Sequence, residues 1–307
     1  MTELLPAVQT TPSLQPSPPR GSARRPLRVM SFNVRFGTAT DGPNRWDLRR
    51  DLLVRTIRKF DPDLLGLQEA LDFQCDEIGA ALGGEYAFHG AGREDGGAKG
   101  ETVGIFFRRR RFEPLDAGHF WLSETPDRPG SISWDSELTR MASWVKVADA
   151  DARRHGADRT VLFVNTHWDH FGKKARFESA RVMRRRIGEL HPDGTVIIVG
   201  DFNSREDDEE YTELVRAADD EGPTYVDAYR ALHPLRQAEE ASFHAFKGGR
   251  DGARIDWVLH SRDLVPLEAS IDRTSEDGRY PSDHYPVTAV LSERPAGDSP
   301  AAGSGGA

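Results

Sequence analysis

The chain is short of the features that would place it in a class at once. It carries one cysteine, Cys75, in 307 residues. That excludes an internal disulfide framework and a thiolate-built zinc site, and it suits a reducing compartment. No apolar run approaches the roughly 20 residues of a membrane-spanning helix, so stable membrane insertion is not expected. The N-terminus has no apolar centre of the kind a secretory signal needs, which makes the cytoplasm the expected location. Positive charge is also in deficit. With Lys+Arg 41 against Asp+Glu 50 the formal net charge is -9 and the pI about 5.6. No global positive field therefore draws the chain to nucleic acid or to an anionic surface. A phosphate-cradling Walker loop is missing, and so is the G-x-S-x-G elbow, which argues against P-loop and serine-hydrolase chemistry.

What is present is enough apolar residue for a sizeable core: 37% hydrophobic and 9% aromatic. The length fits two average domains or one large α/β domain. Met1 to about Pro26 is rich in Pro, Ser, Thr and Gln and is expected to be a disordered leader, its basic end (Arg20 to Arg28) a solvated linker. Pro295 to Ala307 is expected to be a loose tail. Residues 27–294 alternate strand-like and helix-like segments, with no internal repeat.

Arg28 to Val34 reads as a first strand, and Asp47 to Phe60 as a helix stopped by Asp61-Pro62-Asp63. Leu64 to Leu67 reads as a buried strand ending at Gln68-Glu69. Asp72 to Leu82 is a second helix, with Cys75 a small buried filler. Thr102 to Phe107, Ala142 to Val147 and Val161 to Val164 are further strands. Lys173 to Leu190 is an amphipathic helix, with Ala180, Met183, Ile187 and Leu190 inward and Arg181, Arg184 and Arg185 in solvent. Val196 to Val199 is wholly apolar, as a doubly buried strand requires. Ser204 and Asp207 resemble a capping box for a helix near Glu206 to Ala218. Late strands are expected at Ser242–Phe246, Arg254–His260 and Pro286–Leu291. Arg108 to Arg111 reads as a solvated hairpin turn, and Arg45, Trp46 and Arg49 as a surface helix start.

The strand ends share a chemistry. They stop at Asn33, at Glu69, at Asn165 and His167, and at Asp201 and Asn203. Asp256 lies within a late strand, and Asp283-His284 precede the last. One such end is ordinary turn chemistry. Six, all drawn from acids, amides and imidazoles, would meet on one rim if the strands lie side by side. Carboxylate and amide oxygens without thiolates favour Mg²⁺ or Mn²⁺, which typically bridge carboxylates and substrate phosphate oxygens. His167 and His284 add acid/base and charge-stabilising groups. Hydrolysis of a phosphate ester fits that set.

The ordered motifs Phe32-Asn33, Gln68-Glu69, Asn165-Thr166-His167, Gly200-Asp201-Phe202-Asn203, Ile255-Asp256-Trp257 and Ser282-Asp283-His284 resemble the endonuclease/exonuclease/phosphatase (DNase I-like) superfamily. The segment Phe120 to Pro126, with Trp134-Asp135 and Arg140, is similar to a bacterial branch of it. The resemblance implies a four-layer α/β sandwich, two mixed sheets packed face to face with helices outside and the site at one rim. It implies Mg²⁺ (or Mn²⁺) on Glu69, helped by Asn33 and Asp283. Asp201 would activate water with Asn203 positioning it, and His284, held by Asp256, would contact a phosphoryl oxygen. His167 would stabilise charge or assist the leaving group. Arg140 would contact phosphate, while Asn165 and Asp169 would support the substrate corner. The implied partner is a phosphorylated substrate, a small metabolite or a lipid or inositol headgroup, handled by a monomer. Nucleic acid is the alternative substrate, and a non-catalytic binding module on the same fold a remote one.

Overall fold

Short strands that are apolar on both sides need cover on both faces, and two sheets stacked between helices supply it. The computed structural model describes residues 24–215 and 224–295. In chain order the elements are β1 (Leu27–Asn33), α1 (Trp46–Phe60), β2 (Leu64–Ala70), α2 (Asp72–Ala81), β3 (Tyr86–His89), β4 (Thr102–Arg108), β5 (Phe112–Trp121) and β6 (Met141–Asp149). Then come α3 (Ala150–Arg154), β7 (Thr160–His167), α4 (Lys173–Leu190), β8 (Thr195–Asp201), α5 (Glu209–Val215) and β9 (Tyr225–Asp227). The last are α6 (Ala228–Leu232), β10 (Asp256–Ser261), β11 (Leu264–Ile271) and β12 (Val287–Glu293). One six-stranded sheet runs β11-β12-β1-β2-β4-β3 and the other β5-β6-β7-β8-β10-β9. Each contains one parallel pair, β1 with β2 and β7 with β8, so both are mixed.

Alternation along each strand divides the core into three layers. Val29, Leu64, Ile105, Val145, Phe163, Val199 and Ala289 face inward and form the apolar layer between the sheets. Met30, Phe32 and Leu65 face outward under α1 and α2, against Leu53, Ile57 and Ile78. Leu162, Ile198 and Trp257 do the same on the other sheet, under Ala180, Met183 and Ile187 of α4. The four-layer sandwich is thus observed. The sheets come very close at Gly66: a Cβ there would lie 2.4 Å from Val199 Cγ2 and 2.8 Å from the Asn165 amide. Only glycine leaves that space.

Several expectations need correction. Ser242–Phe246 forms no strand; its one ladder contact is a bridge between Phe243 and His284. Asp208, not Asp207, caps the turn after Ser204, accepting from Arg205 N at 2.7 Å and from Ser204 Oγ at 3.2 Å. Helix α5 therefore begins at Glu209, and its expected continuation past Val215 lies outside the described residues, as do most of the leader and the tail. Arg184 is buried and paired with Glu213 at 3.1 Å. Arg108 and Arg111 are buried rather than solvated. Trp46 and Arg49 are buried too: the Arg49 guanidinium donates to the carbonyls of Val34, Arg35, Asn44 and Pro281 at 2.6–2.9 Å. That one side chain ties the end of β1 to the segment that carries Asp283.

Candidate active site

The ends of β1, β2, β7 and β8 and the starts of β4, β6 and β10 open on one cleft of about 490 Å³. Glu69 reaches it through a β-bulge, where the β2–β4 register shifts between Leu67 and Ala70 and Glu69 adopts φ 61. Bulges of this kind re-aim a side chain. Of the eight described non-glycine residues with positive φ, five line the cleft: Arg35, Glu69, Asn203, Ala245 and Phe246. Backbone strain is therefore concentrated here, where surrounding structure holds it.

At the centre is Asp201, 1% exposed. Its Oδ2 accepts from Asn33 Nδ2 at 2.9 Å, and its Oδ1 accepts from Asn203 N at 3.0 Å. His167 Nε2 and His284 Nε2 stand 3.6 and 3.7 Å from the same Oδ2. His284 donates through Nδ1 to Asp256 Oδ2 at 2.9 Å, which leaves Nε2 facing the cleft. Asn33 also donates to Glu69 Oε1 at 2.9 Å. Arg35 lies 3.9 Å from Glu69 and 3.8 Å from Asp283, and is held in two-point contact with Asp41 at 3.1 Å.

The titration directions follow from this crowding. Burial, reinforced by the charge of Asp256, pushes Asp201 up to about 7. Burial opposes the charging of His284, but Asp256 and Asp201 outweigh it and raise its pKa well above the usual imidazole value. Burial and then Arg140 drive His167 well below that value, so it stands neutral. Asp283 is raised by burial and by Glu69, and Glu101 by burial. Too many carboxylates share too little positive charge.

A divalent cation answers that deficit. Ligand atoms of Glu69, Asp201 and His284 all lie within 4.8 Å of one another, and Asp283 faces the same guanidinium as Glu69. The carboxylate oxygens, with no thiolate among them, are donors that suit a hard ion, while His284, held charged by Asp256, offers it no lone pair. The carboxylates therefore fit a hard divalent cation, which Glu69 and Asp283 would hold. Asn33 lies between two of these carboxylates. Its Oδ1 accepts from Arg35 N at 3.0 Å while its Nδ2 donates to Glu69 and Asp201, so here it fixes both carboxylates.

Among the expected substrate contacts, Arg140 lines the cleft and the other two do not. Asn165 is fully buried between the sheets, donating to Leu67 O and Gly104 O at 2.8 Å and accepting from Gln68 Nε2 at 2.6 Å. It is a strap between layers. Asp169 spends its carboxylate on Ser136 Oγ, Phe171 N and Gly172 N at 2.6–2.9 Å, which shapes the loop beside Arg140. Two further residues escaped the sequence reading. Glu101, just before β4, is 3.7 Å from His167 Nδ1 and 2.7 Å from Arg93; an acid flanking an apolar strand was the available signal. Arg35 stands two residues beyond Asn33, past the end of β1 and at φ 55, so no strand alternation announced it.

The fold and rim define a class: two stacked six-stranded sheets with an acid- and imidazole-lined cleft at one rim. The chain belongs to the Endonuclease/Exonuclease/phosphatase family, which it matches over residues 30–284. A solved member from Bacteroides vulgatus is 30% identical with a TM-score of 0.78, covering 88% of this chain and 99% of its own. The mannosyl-6-phosphatase of Bacteroides thetaiotaomicron is also 30% identical, with a TM-score of 0.73, covering 86% and 99%. Mouse nocturnin is 23% identical over 86% of this chain, which spans 64% of the nocturnin length.

Proposed function

We propose that the chain is a divalent-metal-dependent phosphoesterase that hydrolyses a small phosphorylated metabolite, sugar, inositol or lipid headgroup. One observation carries this reading: Asp201 is a buried carboxylate fixed by Asn33 and Asn203, poised between two imidazoles and beside the Glu69–Asp283 pair. A carboxylate pushed up to about 7 is a matched base for a water attacking phosphorus. The cation, when bound, neutralises phosphoryl oxygens and acidifies bound water. Asn203 anchors its own amide on Trp168 O at 3.0 Å and positions the water from there. His284, kept charged by Asp256, donates to a phosphoryl oxygen, and neutral His167 donates toward the leaving group. Displacement is in line, without a covalent enzyme intermediate. A cleft of about 490 Å³ suits a compact substrate, and the mannosyl-6-phosphatase neighbour supports a sugar phosphate. The basic run Arg108 to Arg111 lends the nuclease reading no support, because Arg108 and Arg111 are buried at strand ends remote from the cleft.

The test is hydrolysis of p-nitrophenyl phosphate and bis-p-nitrophenyl phosphate with Mg²⁺ or Mn²⁺. Activity should vanish in EDTA and in Glu69→Ala. Turnover indifferent to both would end the metal mechanism. Activity confined to RNA or DNA and falling steeply with salt would establish a nuclease instead.

A further inference from the structure

The cleft contains more buried donors than its own acceptors use. Arg140 is 4% exposed and lines the cleft, yet its Nε and Nη1 have no hydrogen-bond partner among the described residues. Only Nη2 is engaged, 3.0 Å from His170 Nδ1. The nearest carboxylate, Asp169, is 3.8 Å from Nε, beyond a hydrogen bond, and its oxygens are committed to Ser136, Phe171 and Gly172. One N–H on Nε and two on Nη1 are thus left without acceptors in a buried guanidinium. Buried donors are normally met by protein, water or a ligand, and among the described arginines only Arg140 has two buried nitrogens unmet.

The number of oxygens decides what that ligand is. A phosphodiester offers two non-bridging oxygens and one charge. A phosphomonoester offers three, and a second charge near neutral pH. His284 Nε2 already faces the cleft for one oxygen, and the Glu69–Asp283 pair holds the cation for another. The unmet Arg140 Nε and Nη1 are a third, separate donor set, and either can give a charge-assisted hydrogen bond to one phosphate oxygen. Arg35, the second guanidinium lining the cleft, adds charge suited to a dianion.

We propose that the site is built for a terminal phosphate, and that Arg140 determines this preference by taking the third non-bridging oxygen of a phosphomonoester. The inference rests on the phosphoesterase reading and narrows it: the enzyme removes a phosphate group and does not cleave a bridging one. Water adds to phosphorus, the ester P–O bond breaks, the alcohol leaves with a proton, and inorganic phosphate is the second product. That product presents the same oxygens to Arg140 as the substrate does.

Calorimetric titration of the Mg²⁺-loaded protein, with inorganic phosphate and with dimethyl phosphate as probes, tests the subsite without turnover. Inorganic phosphate should bind at least about tenfold tighter than dimethyl phosphate, the worth of one charge-assisted contact. The margin should disappear in Arg140→Gln and survive in part in Arg140→Lys, which keeps the charge and loses the fork. Equal binding of the two probes to the wild-type protein would overturn the proposal even if neither variant folds. In parallel, kcat/KM with Mn²⁺ should favour p-nitrophenyl phosphate over the bis ester. Faster turnover of the bis ester would overturn the monoester preference while leaving the phosphoesterase reading intact. Turnover of neither ester, with the binding margin retained, would uphold the phosphate subsite and count against the hydrolase reading beneath it.

Discussion

The same strands carry buried charge at both of their ends, and the two ends treat it in opposite ways. At the end away from the cleft, Arg111 donates to Asp63 at 2.6 Å, to Asp149 at 3.3 Å and to the carbonyls of Arg25 and Pro26 at 2.7 and 2.8 Å. Arg159 also meets Asp149, and Arg108 meets Asp61, Tyr86 and Glu85. Asp63 and Asp149 each have a cation there, and Asp149 stays ionised: burial opposes it, but Arg111 and Arg159 win and hold its pKa down. At the cleft end the acids face one another, and Asp201 and Asp283 are pushed up. Matched charge closes a sandwich; unmatched charge leaves it ready for a cation and a phosphate.

The contrast breaks most sharply at Asp201. Asp201→Asn should lower kcat about a thousandfold, the range of a lost general base, while the melting temperature holds or rises because a crowded carboxylate is gone. A marked drop in melting temperature would show that Asp201 holds the fold together like its counterparts at the other end. The reverse pattern is expected of Arg111→Met. Leaving Asp63 and Asp149 buried without their shared cation should cost about 3 kcal/mol in denaturant unfolding, with kcat per folded molecule unchanged. A variant of unaltered stability would mean that the network is ornamental.

Divalent cation should act on one end alone. Mg²⁺ or Mn²⁺ at a hundred times its Kd should stabilise the protein by about 2.7 kcal/mol, and Glu69→Ala should abolish that shift in thermal denaturation. An equal shift in the variant would place the ion elsewhere.

The smallest effect is a pH dependence. Because the folded-state pKa of Asp149 is lowered, its contribution is fully present above the unfolded carboxylate value of about 3.9 and is lost as pH falls through the lower folded value. The stability gap between the wild-type protein and Asp149→Asn should therefore be constant from pH 5 to 7 and close in more acid solution. A gap that widened on acidification would contradict the pairing.

Legibility followed solvent exposure. Helix α4 was read with its observed limits because four apolar residues at helical spacing need one face buried. The inner strands were equally plain. Four strands, β3, β5, β9 and β11, passed unnoticed: all are sheet edges, and β5 is exposed along most of its middle. An edge strand makes no apolar demand strong enough to read. Arg108 and Arg111 looked like a solvated turn because their partners lie tens of residues away, at Asp63 and Asp149. Nothing local announces such a pairing.

The sequence by itself determined which residues are chemically able: acids, amides and imidazoles placed where apolar strands end, hence a polar rim in an α/β domain. Period and composition are local properties, and a chain read residue by residue contains them. Only the tertiary structure decided how those residues divide the work. It turned the Asn33 amide nitrogen toward Asp201 and Glu69, withdrew Asn165 into the space between the sheets, and brought Arg35 and Glu101 into the cleft. It also left the Arg140 guanidinium with donors to spare. Each outcome depends on a distance between segments far apart in the chain, and hydrogen bonding and charge act over those distances, not over sequence separation.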